Sequence, residues 1–266
     1  MKNLRIGCIA LFISIIGINI LDAQVNGMSF NGSTGLFSVP SARIGWEGSN
    51  RFGPDMGYHA IITEGNVSHI PKMSMSLFNT VEFHGAFDIQ PDGYITNTNG
   101  SDLILGAKIQ VPLASTFIAF GGNYQRLNLT NDNYSHNAGQ IYIALSYPGQ
   151  LFNSPAETTV VLGKTFTDGD IDSDIDFGMG FSLVVLPRHL GGFVIWVTDF
   201  SNFSYSVEPF GADAWYRGSI NSGFRFDFSI VPIFRRLRFA VDILITDALD
   251  SNRGFSAGVV LGVPFL

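Results

Sequence analysis

The stretch Val81-Glu82-Phe83-His84-Gly85-Ala86-Phe87-Asp88-Ile89-Gln90 decides the fold. In an extended chain successive side chains point to opposite faces. Val81, Phe83, Gly85, Phe87 and Ile89 therefore share one face, and Glu82, His84, Ala86, Asp88 and Gln90 the other. Strands in soluble sheets are usually about five or six residues long. This stretch has the length of roughly 9 to 11 residues that a strand needs to cross a bilayer.

The same period recurs on either side. From Asp174 to Val185, Ile175, Phe177, Met179, Phe181 and Leu183 oppose Asp174, Asp176, Gly178, Gly180 and Ser182. In the stretch 217–230, Phe224, Phe226 and Phe228 oppose Arg225, Asp227 and Ser229. From Arg236 to Thr246, Leu237, Phe239, Val241, Ile243 and Ile245 oppose Arg238, Ala240, Asp242, Leu244 and Thr246. Lipid offers backbone groups no hydrogen bonds, so a sheet that spans it must close on itself. The pattern predicts an all-β fold over 51–266, a closed antiparallel transmembrane β-barrel of about 12 strands, with ten as the alternative. The expected strands are 51–62, 70–78, 81–90, 102–111, 115–127, 138–147, 157–166, 174–185, 192–200, 216–229, 236–246 and 254–266.

The connections alternate in length as bacterial barrels require, with short periplasmic turns and longer outer loops. Asn79-Thr80, Pro112 to Ala114, Leu186 to Gly191 and Val231 to Arg235 are short, whereas Tyr147 to Ala156 stands out as long. Pro91 to Ser101, Asn128 to Asn137, Thr167 to Ser173, Ser201 to Trp215 and Asp247 to Arg253 are longer and polar. Arg188, His189 and Arg235 lie on the short side, and most of the Asp and Asn on the long side.

Composition agrees. Hydrophobic residues make up 46% and charged residues 14%, with 24 Phe and 30 Gly. Soluble domains carry about 25% charged residues. The formal net charge of -7 argues against nucleic acid as a partner, because phosphate binding needs a basic surface.

The first residues read as an export signal over 1–23. Lys2 and Arg5 precede the apolar stretch Ile6 to Leu21, and Ala23 stands before the expected cut. Cys8 is the only cysteine and leaves with the signal, so disulfides play no part in the mature fold. Residues 24–50 form an irregular segment rich in Gly and Pro, read either as a plug inside the barrel or as a linker.

Two resemblances follow. The C-terminal run Gly254 to Leu266, with the aromatic Phe265 next to last, resembles the closing strand of outer-membrane proteins. That resemblance implies recognition of Phe265 by the barrel-assembly machinery and delivery by periplasmic chaperones. The stretch Gly32-Ser33-Thr34-Gly35-Leu36-Phe37-Ser38-Val39-Pro40-Ser41-Ala42-Arg43 resembles the opening of YjbH-type exopolysaccharide-associated outer-membrane proteins, with Gly32, Gly35 and Pro40 as its fixed points. It implies an accessory role in surface polysaccharide export.

Alternation turns Arg225, Asp227, Arg238, Asp242, Glu82, Asp88 and Lys108 into the lumen. Such charges can form a solute-selecting constriction. The plainer reading is a set of cross-strand ion pairs that satisfies a narrow interior. Asp168, Asp170, Asp172, Asp174 and Asp176 recur at every second position but lack the EF-hand's Gly and Glu, so they read as a solvated acidic rim rather than a metal site. His69 and His136 with Asp132 have no triad spacing, so no catalytic group or cofactor is expected. The expected function is a small pore or structural protein of the outer membrane, in contact with the bilayer and its lipopolysaccharide or equivalent outer leaflet. The alternatives are polysaccharide export and a surface adhesin acting through its outer loops.

Overall fold

The computed structural model describes residues 27–46, 52–63, 66–90, 100–113, 116–127, 136–167, 175–203, 218–234, 236–249 and 253–263. Residues 1–23, expected to be an export signal, together with Asp132, the acidic run before Ile175 and Phe265 lie outside these residues.

Twelve antiparallel strands form the wall: β1 Phe52–Thr63, β2 Asn66–Leu77, β3 Val81–Gln90, β4 Gly100–Pro112, β5 Phe117–Leu127, β6 His136–Leu151, β7 Ser154–Thr167, β8 Asp176–Val184, β9 Val194–Ser201, β10 Ser219–Asp227, β11 Arg238–Thr246 and β12 Gly254–Gly262. Each pairs with its neighbours in sequence, and β1 pairs with β12 through a register that includes Tyr58↔Val259. The sheet is thereby a closed barrel, which leaves no open edge of unpaired backbone groups.

Several boundaries differ from the sequence expectation: β10 ends at Asp227, before a 3-10 turn over Phe228–Ile230 that takes Phe228 and Ser229 out of the alternating run, and two others follow from strand pairing. Strand β2 begins at Asn66, not residue 70, because its pairing with β1 continues to Thr63↔Asn66. The long connection expected at Tyr147 to Ala156 contracts to Phe152-Asn153, since β6 and β7 stay paired to Leu151↔Ser154. Phe152 and Asn153 have φ of 51° and 62°, and Phe78 and Asn79 have 53° and 54°. These left-handed values are the geometry of tight hairpins that follow the strand twist. Both Phe side chains are exposed at the end of the barrel that carries the short turns.

The outward face is apolar all round. Met56 on β1 (67% exposed), Phe83 on β3, Leu105 on β4, Ile141 on β6, Phe224 on β10 and Phe255 on β12 all stand exposed. Monomeric soluble proteins rarely expose a contiguous apolar patch beyond a few hundred Å². An unbroken belt of this kind has lipid as its matching solvent.

Candidate functional site

The inward-facing side chains do not line an empty channel. Residues Gly27 to Gly45 are buried apart from Phe30, which like Trp46 is partly so. The segment contacts side chains from strands around the whole circumference, which places it inside the barrel. It is irregular, with isolated bridges Met28↔Thr34 and Gly35↔Pro40 as its only strand-like pairing. Gly32 turns the chain at φ 88° with its Cα against the backbone of Gly85. A side chain there would collide with that backbone.

One part of the lumen wall is charged and grips the segment by its main chain. Glu82 on β3 accepts from Thr34 N at 2.8 Å, Thr34 Oγ1 at 2.6 Å and Gly45 N at 3.0 Å. Lys108, opposite Glu82 on β4 and 3.2 Å from its carboxylate, donates to the carbonyls of Thr34 at 2.7 Å and Ser41 at 3.1 Å. Lys72 on β2 donates to the carbonyls of Met28 and Ser29. Arg225 on β10 forms a two-pronged pair with its cross-strand neighbour Asp242 on β11, at 2.8 and 3.0 Å, and donates to the carbonyl of Gly35. Asp199 on β9 takes three consecutive backbone N–H groups, from Phe37, Ser38 and Val39, on a single carboxylate oxygen. Paired and hydrogen-bonded in this way, buried charges escape the full cost of leaving water.

Side-chain anchors are fewer. Arg43 pairs with Glu157 on β7 at 2.8 Å, and its guanidinium lies 3.8 Å over the ring of Phe117. Trp46 Nε1 donates to Asp55 on β1 at 3.1 Å, and Ala42 N donates to Ser146 Oγ on β6 at 3.0 Å.

Apolar contacts hold the segment as well. Leu36, Phe37, Val39 and Ala42 of the segment form one buried cluster with Ile104, Val161, Ile195, Val197 and Leu244 of the strands. Burying each large apolar side chain contributes about 1.5–3 kcal/mol.

Two glycines of β12 allow charges to meet across it. Asp55 on β1 and Arg238 on β11 both register with Gly262, and Arg238 Nη1 reaches Asp55 Oδ2 at 2.7 Å. A Cβ at Gly262 would overlap the Asp55 carboxylate. His59 and Asp242 flank Gly258 in the same way, 3.3 Å apart.

The structure places the seven lumenal residues read from alternation as follows. Glu82, Lys108, Arg225, Arg238 and Asp242 join this network, and Arg238 also donates to the carbonyl of Gly27. Asp88 is buried higher in β3 with Ser68 donating to it, and Asp227 accepts from Ser229 N at the turn after β10. In the N-terminal motif, Gly35 and Pro40 face each other in a bridge. Of the histidines, His69 lies within β2 and meets Tyr58 Oη on the outward face. His84 is buried inward against Asn123 at 2.9 Å. His136 opens β6. Among the described residues no group of three or more His, Cys, Asp or Glu is placed to hold a metal ion.

Sequence reasoning missed Asp199, Lys72, Asp55 and Glu157. Asp199 ends a run, Val194-Ile195-Trp196-Val197, that is apolar on both faces, so alternation gave no parity to assign. That run was itself the available signal. Apolar side chains at inward positions need an apolar partner inside the barrel, and here Ile195 and Val197 pack against the segment.

No family model and no curated protein matches the chain. Solved structures do. The KdgM porin aligns over 80% of this chain and 99% of its own, at 8% identity and a TM-score of 0.50. The KdgM porin in complex with disordered oligogalacturonate aligns over the same shares at 7% identity and 0.51. The Acinetobacter baumannii outer membrane protein Omp33 aligns over 81% and 98%, at 10% identity and 0.44. At such identities the shared property is the fold: this chain has the barrel architecture of the KdgM porin.

Proposed function

We propose that the chain is a bacterial outer-membrane β-barrel of porin architecture whose lumen is closed by its own residues 27–46. In this state it serves the envelope as a structural barrel, and it becomes a pore only when the segment withdraws. It has no catalytic role. The observation that carries the reading is the burial of Gly27 to Gly45, with Phe30 alone partly exposed, against the surrounding strand wall. The apolar belt supports the membrane, and the signal-like start supports export to it. On this reading the partners are lipid, the outer leaflet and the assembly machinery that takes the C-terminal strand.

Planar-bilayer recording tests it. Refolded wild-type protein that runs as a heat-modifiable barrel is expected to be electrically silent, and a variant lacking residues 27–46 to give stable conductance steps. Steady steps from the wild type overturn the closed state.

One observation favours a second reading. The stretch Gly32 to Arg43, which resembles the opening of YjbH-type proteins, is the part that reaches Glu82, Lys108, Asp199 and Glu157. An accessory role in polysaccharide export predicts loss of surface polysaccharide on gene deletion. Rescue by a chain lacking residues 27–46 counts against that role for the segment. The KdgM complex holds an acidic sugar chain. The charge of this lumen points to a different cargo.

A further inference from the structure

The lumen carries a lopsided charge. Among the described residues, nine carboxylates and four Lys or Arg side chains borne by the strands are buried facing inward, an excess of five negative charges. The cations are not spread evenly. Lys108 sits beside Glu82, Arg225 beside Asp242 and Arg238 beside Asp55, all towards the end with the short turns or near mid-height. Lys72, near mid-height on β2, is taken up by the carbonyls of Met28 and Ser29.

The half of the lumen nearer the long connections has carboxylates and no Lys or Arg among its described inward-facing residues. Asp88 and Asp102 stand directly opposite each other on β3 and β4. Asp176 is held by neutral donors, Gln140 at 2.7 Å and Thr165 at 2.6 Å. Asp199 is held by Asn221 and by the backbone of the segment. Neutral donors steady a carboxylate but leave its charge in place.

The wall also has uncommitted oxygens. Tyr142 Oη, Ser182 Oγ, Thr246 Oγ1 and Ser256 Oγ are buried on inward positions with no hydrogen-bond partner. Hydroxyl and carboxylate oxygens are what a partly dehydrated hard cation accepts, and rings of Asp or Glu select cations in pores.

We infer that the opened lumen selects cations over anions, with the carboxylates around Asp88, Asp102, Asp176 and Asp199 as the selecting vestibule. Opening strengthens the preference. The departing segment takes Arg43 away from Glu157 and the three N–H groups away from Asp199, and it leaves every wall carboxylate behind. Low-dielectric walls of one sign concentrate counter-ions and exclude co-ions. Polyanionic cargo such as acidic sugar chains is therefore disfavoured, whereas inorganic cations and cationic small molecules fit. This inference rests on the closing role of residues 27–46.

Reversal potentials in an asymmetric KCl gradient test it. The deletion of 27–46 is expected to pass potassium several-fold better than chloride. The preference should fall when Asp88→Asn and Asp102→Asn are added to that deletion. Because deletion exposes apolar wall, a second variant keeps the segment and weakens its own anchors, Thr34→Ala with Arg43→Ala. Its intermittent openings are expected to show the same sign. Chloride preference, or none, in steps from either variant overturns the cation vestibule and leaves the closing role standing. Silence from a folded, heat-modifiable deletion variant overturns both. Steps from the wild type overturn the closing role alone, since the same gradient still reads the ion preference.

Discussion

Two sets of wall residues, interleaved around the lumen and both present on β4 and β9, hold the same segment by different physics. Around Glu82, Lys108, Lys72, Arg225 and Asp199, charged side chains bind carbonyl and N–H groups of residues 28–45. Around Ile104, Val161, Ile195, Val197 and Leu244, the wall meets Leu36, Phe37, Val39 and Ala42 through apolar contact. The ionic set reads the course of the main chain and tolerates many side chains there. The apolar set reads volume and shape. A segment held in both ways is fixed in register by directional bonds and fixed in depth by packing.

The largest expected effect comes from the ionic set. Glu82→Ala removes the acceptor of three bonds and leaves the Lys108 ammonium buried without its carboxylate. Breaking a buried pair costs about 3–5 kcal/mol. Guanidinium titration of the barrel in detergent should show that loss, with faster proteolysis of the segment while the barrel stays folded.

Next comes the apolar set. Leu36→Ala should cost about 2–5 kcal/mol through lost burial and a residual cavity. Equal protection of the segment in this variant and the wild type would mean that the charged contacts alone retain it.

The outward belt provides the reference that separates segment docking from barrel stability. Leu105→Arg, on the lipid face of β4, should cost about 2–4 kcal/mol near the bilayer midplane. The measure is folding equilibrium into vesicles, and the segment's protease protection should not change in the molecules that fold.

The smallest effect is expected at Ser38. Its hydroxyl meets Ser201 and Asn221 beside the Asp199 carboxylate, and Ser38→Ala should cost about 0.5–1.5 kcal/mol. Its backbone N–H bond to Asp199 survives that change, so a large loss would show that the hydroxyl, not the main chain, carries the contact.

The barrel was legible because the period of two is local. Each of Val81, Phe83 and Phe87 declares its face through its immediate neighbours, and a bilayer imposes the same requirement on every strand. Alternation also sorted the inward charges of β3, β10 and β11. It could not rank partners. Arg225 meets the cross-strand Asp242, as pairing of adjacent strands implies. Arg238 instead meets Asp55, two strands away through the seam.

That second pairing needs closure of β1 onto β12 and the missing side chain at Gly262, facts that no window of sequence contains. The fate of residues 27–46 was equally out of local reach. An irregular Gly- and Pro-containing stretch has no period to read, and its place inside the barrel depends on strands up to about two hundred residues away meeting it at once, as when Arg225 reaches Gly35. Local alternation determines which face a side chain takes. Closure and shear of the whole sheet determine which distant groups it then meets.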